Sequence, residues 1–304
     1  MYSSKDLIDR FKHYEGQRYY WDTHYQDLAD YMLPRKADIV RQRSKGEKRM
    51  ELIFDGTALQ AVDLLASSLH GMLTSGASAW FHLTLKDEEL GRDEEVQRWL
   101  EDTSQRMMRA FNVSNFETEI HEMYVDLVVF GTGCMFVEMD EESLRFSTRH
   151  ISEFYIAEDQ FGLVDTVFRK YKIPARQAVQ RFGIESVGDF IAKKFEKRPD
   201  EEVEILHVVV PREERDVTKI DNKNMPFASL YIDMETKQTM TESGFEEFPY
   251  VVPRFLKATG EIMGRSPAMV ALPDVKMLNL MSKTIIQAAQ KQIDPPLLVP
   301  DDGF

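Results

Sequence analysis

Apolar residues recur at helical spacing through the first part of the chain. Between residues 4 and 33 they fall three, four or seven positions apart, and Pro34 ends the run. The members of this run are Leu7, Phe11, Tyr14, Trp21, Tyr25, Leu28 and Met32. The basic stretch 35–50 has no such period and predicts a solvated loop. The period then returns and predicts three further helices, over residues 57–73, 93–111 and 116–130.

Single residues add detail to two of these helices. The helix 93–111 is expected to face inward through four apolar residues, Val96, Trp99, Leu100 and Met107. Asn115 has the side chain of a helix N-cap and predicts the start of the helix 116–130. Gly131 and Gly133 follow its last apolar residue and predict its end.

Short apolar segments separated by acidic turns follow Gly133, and this pattern is typical of antiparallel strands. Strands are predicted over 134–139, 144–148, 154–157, 163–171, 203–210, 227–233 and 250–255, and the earlier segment 80–85 is also strand-like. Two short helices, 175–182 and 186–195, are predicted on either side of Gly183. The charged segment 211–226 has no period and predicts a loop or a hairpin tip.

The last predicted helix runs from Pro273 to Ile293 and has two unlike faces. At about 100° per residue, one face contains Val275, Leu278, Met281, Ile285, Ala288 and Ala289. The opposite face contains Lys276, Lys283, Gln287, Gln290 and Lys291. Taken alone, such a lysine stripe is more often an ordinary solvated face than a binding surface.

Composition narrows the class of protein. The chain has 304 residues with 43% hydrophobic residues, which excludes a disordered acidic tail. Its 52 acidic and 38 basic residues give a net charge of −14, which argues against tight DNA binding by a monomer because acidic surfaces repel phosphates. The single cysteine, Cys134, excludes an intrachain disulfide. No signal peptide or membrane-spanning stretch is expected.

No complete catalytic, cofactor or metal motif is found. The glycine-rich stretch Gly131–Cys134 lies between a helix and a strand, the reverse of the order in a dinucleotide-binding turn. His121 and Glu122 resemble part of a zinc protease motif, but position 125 is valine where a second histidine is needed. The carboxylates Glu138, Asp140, Glu141 and Glu142 could hold Mg²⁺ in a nuclease, although a solvated hairpin turn explains them more simply.

Five motifs occur in order along the chain and carry a family resemblance. They are Phe54–Ala58, Val129–Glu138, Ala175–Gly183, Gly264–Ala268 and Asp294–Pro300. Each alone is weak, but the colinear set resembles the portal proteins, or head-to-tail connectors, of short-tailed bacteriophages. The resemblance implies a mixed α+β, mainly helical chain with the portal fold, in which a wing, two stem helices and an inserted α/β clip are distinguished.

The resemblance also implies a division of the chain and a function. The wing would be residues 1–172, the first stem helix region 173–200, the clip 201–258 and the second stem helix 259–294, and 295–304 would begin a returning wing or channel segment. Such subunits form a ring, usually a dodecamer, at one vertex of the virion capsid. Double-stranded DNA passes through it in packaging and ejection. The expected partners are the terminase large subunit, tail adaptor proteins, and capsid and scaffolding proteins, with assembly in the host cytoplasm and no membrane contact.

In a ring, the solvated face of the last helix would line the DNA channel through Lys276, Lys283, Gln287, Gln290 and Lys291. The tip of the clip would meet partners through Arg212, Glu213, Glu214 and Arg215. No catalytic residue, cofactor or metal is expected. Family members usually run well beyond this length, so a truncated chain is expected. Two alternatives remain: a metal-dependent phage nuclease acting through the carboxylates near 138–142, and a monomeric adaptor that binds through 211–226.

Overall fold

The computed structural model describes residues 3–41, 43–44, 46–87, 89–139, 143–216, 218–219 and 221–295. Within these ranges it has seven α-helices and eight strands. The helices are α1 (Ser4–Met32), α2 (Thr57–Leu73), α3 (Glu94–Val113), α4 (Phe116–Phe130), α5 (Ala175–Phe182), α6 (Asp189–Lys197) and α7 (Pro267–Ile293). The strands are β1 (Met135–Met139), β2 (Leu144–Thr148), β3 (Phe154–Glu158), β4 (Val164–Pro174), β5 (Glu202–Pro211), β6 (Phe227–Asp233), β7 (Thr239–Phe245) and β8 (Tyr250–Val251). The mixed class is confirmed, and more of these residues are helical than extended.

The largest core joins four helices to a small antiparallel sheet. The apolar sides of α1, α2, α4 and the start of α7 pack together with a three-stranded sheet in the order β2-β1-β8. Helix α4 lies at the centre, and all its residues from Met123 to Phe130 are buried. A helix that is apolar on all sides must be surrounded by other elements, which explains why the others are arranged around it.

A five-stranded antiparallel sheet in the order β3-β4-β5-β6-β7 forms the second part of the fold. The start of α1 covers one face, where Leu7 and Phe11 pack on Phe168 and Leu206. Helices α5 and α6 cover the other face around Ile205. Strand β5 is therefore buried on both faces, which suits its nearly continuous apolar sequence.

This sheet crosses two of the boundaries expected from the family resemblance. Residues 167–174 of β4 pair with β5, from Val167 opposite Val209 to Pro174 opposite Glu202. Strands β5, β6 and β7 thus continue a sheet that begins before residue 172, and α5 and α6 lie on its face, whereas β8 joins the other sheet. The names wing, stem and clip for these segments stay a prediction.

The segment 80–85 does not form the predicted strand. It alternates apolar and polar residues as a strand does, but no other strand lies beside it among the described residues, and Leu83 N donates to Ser104 Oγ of α3 at 3.0 Å instead. The structure adds β7, which the sequence did not predict because Thr239–Phe245 is mostly polar. It forms because β6 offers a paired edge, with Phe227 opposite Phe245.

Two side-chain predictions on the helices were wrong. Trp99 and Met107 of α3 are exposed, whereas Leu100 is buried as expected. Asn115 precedes α4 but does not cap it with its side chain. Its amide instead pairs with the backbone of Phe146, donating to the carbonyl at 2.8 Å and accepting from the N–H at 2.9 Å. Asn115 thereby covers the open edge of β2.

A buried ion pair joins the segment after α1 to α4. Lys36 Nζ donates to Asp126 Oδ1 at 2.6 Å and lies 2.8 Å from Glu122 Oε1. Arg35 also pairs with Glu122, at 2.9 Å. Asp126 is 1% exposed, and its Oδ2 has no hydrogen-bond partner among the described residues. Burial raises the pKa of Asp126 to about 6, an effect that Lys36 only partly offsets.

Candidate functional site

The candidate site is built around α7, and this helix begins six residues before the predicted Pro273. Ser266 Oγ accepts from Met269 N at 3.1 Å and donates to Val129 O at 2.7 Å, so it caps α7 and ties it to α4. Pro267 follows at the first helical position, where a missing N–H costs nothing. Pro273 lies within the helix and is exposed.

Two of the motifs that carry the family resemblance touch at this end of α7. Gly131 ends α4 with φ of 77°, a left-handed conformation that favours glycine. Gly264 approaches it so closely that a Cβ at position 264 would collide with the carbonyl oxygen of Gly131. Gly264 N also donates to Thr132 Oγ1 at 2.8 Å. The glycine-rich stretch after α4 is therefore a packing surface for the start of α7.

A third motif meets α7 through Asn279, which is 8% exposed. Asn279 Oδ1 accepts from Phe54 N at 2.7 Å and from Asp55 N at 3.2 Å. Its Nδ2 donates to Leu52 O at 2.7 Å. One side chain thus fixes the segment before α2 to the middle of α7. Asn279 was not among the residues predicted from the sequence, although its spacing, three after Lys276 and four before Lys283, places it between them on one face.

Lys276 and Lys283 lie on this same face, against their own subunit. Lys276 Nζ donates to Asp27 Oδ2 at 2.8 Å and stands 5.3 Å from the centre of the Tyr31 ring. Lys283 Nζ stands 5.3 Å from the centre of the Phe54 ring. Both lysines are partly buried.

The remaining predicted channel residues, Gln287, Gln290 and Lys291, are exposed with the rest of the last two turns of α7. The apolar side of the helix is also exposed. Leu278 is 40% exposed, Met281 55% and Ile285 66%, while Val275 alone of that set is half-buried. Within one subunit α7 therefore packs through Asn279 and its neighbouring lysines and leaves most of its apolar side uncovered.

Of the four residues predicted at the clip tip, three are exposed and one, Arg212, is packed against a strand. Arg212 is not at an exposed tip: its side chain is 9% exposed, and it donates to Glu242 Oε1 at 2.8 Å and to Ser243 O at 3.3 Å on β7. Glu213, Glu214 and Arg215 are exposed in the loop that follows. Because Arg212 is bonded to β7, it holds the base of this loop. Farther along the loop, Thr218 donates hydrogen bonds that lower the pKa of Asp216.

Comparison with known proteins decides the family. The sequence profile described as "Bacteriophage head to tail connecting protein" matches residues 4–304. The chain belongs to this family of head-to-tail connecting proteins. A probable portal protein of Bordetella phage BPP-1 is 34% identical over 301 residues, and a portal protein of Salmonella phage epsilon15 is 33% identical over 301 residues. Each match covers 97% of this chain and 54% of the relative, so the chain spans about half the length of the curated relatives it matches.

The structure also shows where the other candidate residues of this connecting protein lie. Asp140, Glu141 and Glu142 lie outside the described residues, as does most of the predicted segment 295–304, and Glu138 stands opposite Arg145 in the β1–β2 pair. Over the described ranges, no group of three or more His, Cys, Asp or Glu side chains is placed so that it could hold a metal ion. Cys134 is buried, and burial raises the pKa of its thiol. None of the described helices is long and apolar enough to cross a membrane.

Proposed function

We propose that this chain is a portal subunit, which assembles into a ring at one capsid vertex and conducts double-stranded DNA during genome packaging and ejection. The observation that supports this most is the similarity to portal proteins over 97% of the chain, in one colinear alignment. We assign the wing to 1–172, the stem regions to 173–200 and 259–294, and the clip to 201–258. The dodecamer known for the family is the expected ring.

Assembly gives a use for the uncovered apolar side of α7. Leu278, Met281 and Ile285 form an exposed apolar row on the side of α7 away from its contacts through Asn279, and such a row is normally covered by a partner. In a ring the partner is the neighbouring subunit, which contacts this row through a different surface, because a closed ring needs two unlike surfaces.

A matched pair of substitutions tests this assignment. Leu278→Asp places a charge in the row and is expected to shift sedimentation from rings to single subunits, with the far-UV circular dichroism unchanged because residue 278 is exposed in the subunit. Gln287→Asp, on the opposite side, serves as the control and is expected to leave the ring intact. Rings of normal stability with Leu278→Asp would contradict the assignment.

The channel surface is proposed to be the polar side of α7, with Gln287, Gln290 and Lys291 exposed to the passing duplex. Lys276 and Lys283 belong to the same side, but they also contact their own subunit. A chain with a net charge of −14 suits a conduit, because strong phosphate contacts would retain DNA that has to move. Lys291→Ala is expected to preserve ring formation and to change how well packaged DNA is retained.

Docking of the terminase and later of tail adaptors is proposed for the clip, through Glu213, Glu214 and Arg215. Arg212 supports this surface from beneath. Charge reversal at Glu213 and Arg215 is expected to weaken binding to at least one of these partners while leaving the melting temperature unchanged, since both residues are exposed. Unchanged binding to both partners would contradict the assignment. We also propose that the subunit has no hydrolase or nuclease activity of its own.

A further inference from the structure

The turn between β3 and β4 presents two large apolar side chains to solvent. Phe161 is 78% exposed and Leu163 is 64% exposed. Hydrogen bonds within the turn fix its shape: Asp159 Oδ1 accepts from Phe161 N at 2.8 Å and from Leu163 N at 2.9 Å. Gly162 completes the turn with φ of 78°, which favours glycine. The turn therefore holds both apolar side chains outside the core.

Ionic contacts join this turn to a second segment. Lys257 Nζ donates to Glu158 Oε2 at 2.7 Å and to Gly162 O at 3.3 Å. Arg254 also pairs with Glu158 and donates to Gly162 O at 3.2 Å. Leu256 lies between these two cations in the chain and is 64% exposed. The segments that carry the three exposed apolar residues are thus bonded to each other.

Phe161, Leu163 and Leu256 form what we call the turn patch, and its size suits one side of a protein interface. Their exposed side chains offer roughly 400 Å² of apolar surface. A standard interface buries about 800 Å² on each partner, of which about 450 Å² is apolar. A rigid exposed patch of this size usually marks a contact with another protein.

The exposed apolar side of α7 has a similar size and carries one charge. Met277, Leu278, Met281 and Ile285 together offer roughly 400 Å² of exposed apolar surface. Asp274 lies one helical turn before Leu278 on the same side. It is exposed and has no ion pair among the described residues. A surface that covers this side of α7 should therefore be apolar and should offer one cation.

The charges at the edges favour the turn patch as that surface. Lys257 stands at the edge of the patch with 38% of its side chain exposed. Its ammonium group has three donors, so it can approach a partner's carboxylate while it stays bonded to Glu158. Helix α2 also exposes an apolar residue, Leu64, but Asp63 beside it would bring a second carboxylate toward Asp274.

We propose that the turn patch of one subunit docks on the exposed apolar side of α7 of a neighbouring copy, with Lys257 beside Asp274. The inference rests on the proposed ring and names the second of the two unlike surfaces that a closed ring requires. It gives the bonded turn a use, because a surface that is already rigid loses little freedom when it binds.

Disulfide trapping tests the contact, because the single cysteine, Cys134, is buried. Phe161→Cys is combined in turn with Leu278→Cys, Met281→Cys and Ile285→Cys, and the assembled protein is oxidised. At least one pair is expected to give a ladder of disulfide-linked chains on a non-reducing gel, since a disulfide forms only where two Cα atoms approach within about 7 Å. All four positions are exposed in the subunit, so these variants are expected to fold.

Two further pairs complete the trapping experiment. Phe161→Cys with Gln287→Cys, on the opposite side of α7, is the matched control and should give no ladder. Leu64→Cys with Ile285→Cys tests α2 as the alternative surface and should also give none. Rings seen by electron microscopy without a ladder from any of the three predicted pairs, or a ladder from the α2 pair, overturn this inference and leave the portal proposal standing. Absence of rings overturns both.

Reversal of the single charge on α7 gives a second readout. Asp274→Lys brings two cations together at the proposed contact, so the protein concentration needed for assembly, measured by sedimentation, should rise roughly tenfold or more. Asp63→Lys, at an exposed position of α2, is the matched control and should leave that concentration unchanged. An unchanged concentration for Asp274→Lys, or the same rise in both variants, would overturn the docking.

Discussion

Asp126 offers the sharpest test of the packing around α4. Its carboxyl group is buried, with Oδ1 accepting a hydrogen bond from Lys36 and Oδ2 without a partner among the described residues. The pKa is therefore raised from 3.8 in the unfolded chain to about 6 in the folded protein. Between these values the folded state holds a proton that the unfolded state has lost, so this group's contribution to stability falls as pH rises.

The size of the effect follows from the pKa difference. A difference of about 2 pKa units corresponds to about 3 kcal/mol over the whole titration, of which about 2 kcal/mol falls between pH 4.5 and 7. Asp126→Asn cannot ionise, and Lys36 keeps its contact with Glu122. Relative to the parent, the free energy of unfolding of the variant should therefore increase by about 2 kcal/mol from pH 4.5 to pH 7, which means that the variant becomes comparatively more stable.

Urea unfolding followed by tryptophan fluorescence, at several pH values between 4.5 and 7, measures this difference. Asp55→Asn is a control without pH dependence over this interval. Hydrogen bonds from Thr57 lower the pKa of Asp55 below 3.8, so this carboxyl is ionised in both the folded and the unfolded state between pH 4.5 and 7. The difference in stability between Asp55→Asn and the parent should therefore stay constant there. A parent-to-variant difference for Asp126→Asn that stays constant across the interval would refute the reasoning.

Three further predictions concern α7 and the contacts of its first half. Asn279→Leu leaves buried peptide groups without partners and should lower the free energy of unfolding by about 3 kcal/mol, whereas Gln287→Leu on the exposed side should change it by less than about 0.5 kcal/mol, both in chemical denaturation. Gly264→Ala forces a methyl group against the carbonyl of Gly131 and should lower the free energy of unfolding by about 2 kcal/mol, which would be seen as a lower melting temperature. Lys276→Ala removes a half-exposed ion pair with Asp27 and should cost no more than about 1 kcal/mol, and the difference in melting temperature between the variant and the parent should shrink at high salt.

Helices with a clear apolar period and a recognisable end were predictable from the sequence. Helix α2 begins and ends at the expected residues, 57 and 73, and α4 at 116 and 130. The start of α7 was predicted at the wrong proline, because Pro267 and Pro273 can both occupy a first helical turn. Ser266 before Pro267 was the deciding signal, since it supplies the cap.

Contacts between distant segments could not be read from periodicity. The angles around α7 correctly separate the lysines from the apolar residues, but they do not say which side meets the rest of the subunit. That depends on Asp27, Tyr31 and Phe54, which α1 and the loop before α2 bring to it. Strand formation depends in the same way on a neighbour, which 80–85 lacks among the described residues and β7 has.

Electron microscopy of the purified protein tests the central proposal most directly. The portal assignment predicts ring-shaped particles with a central opening, close to twelvefold in symmetry, in which α7 lines the opening with Gln287, Gln290 and Lys291 toward the axis. Particles that remain single subunits at high protein concentration, or rings in which the polar side of α7 points away from the axis, would contradict it.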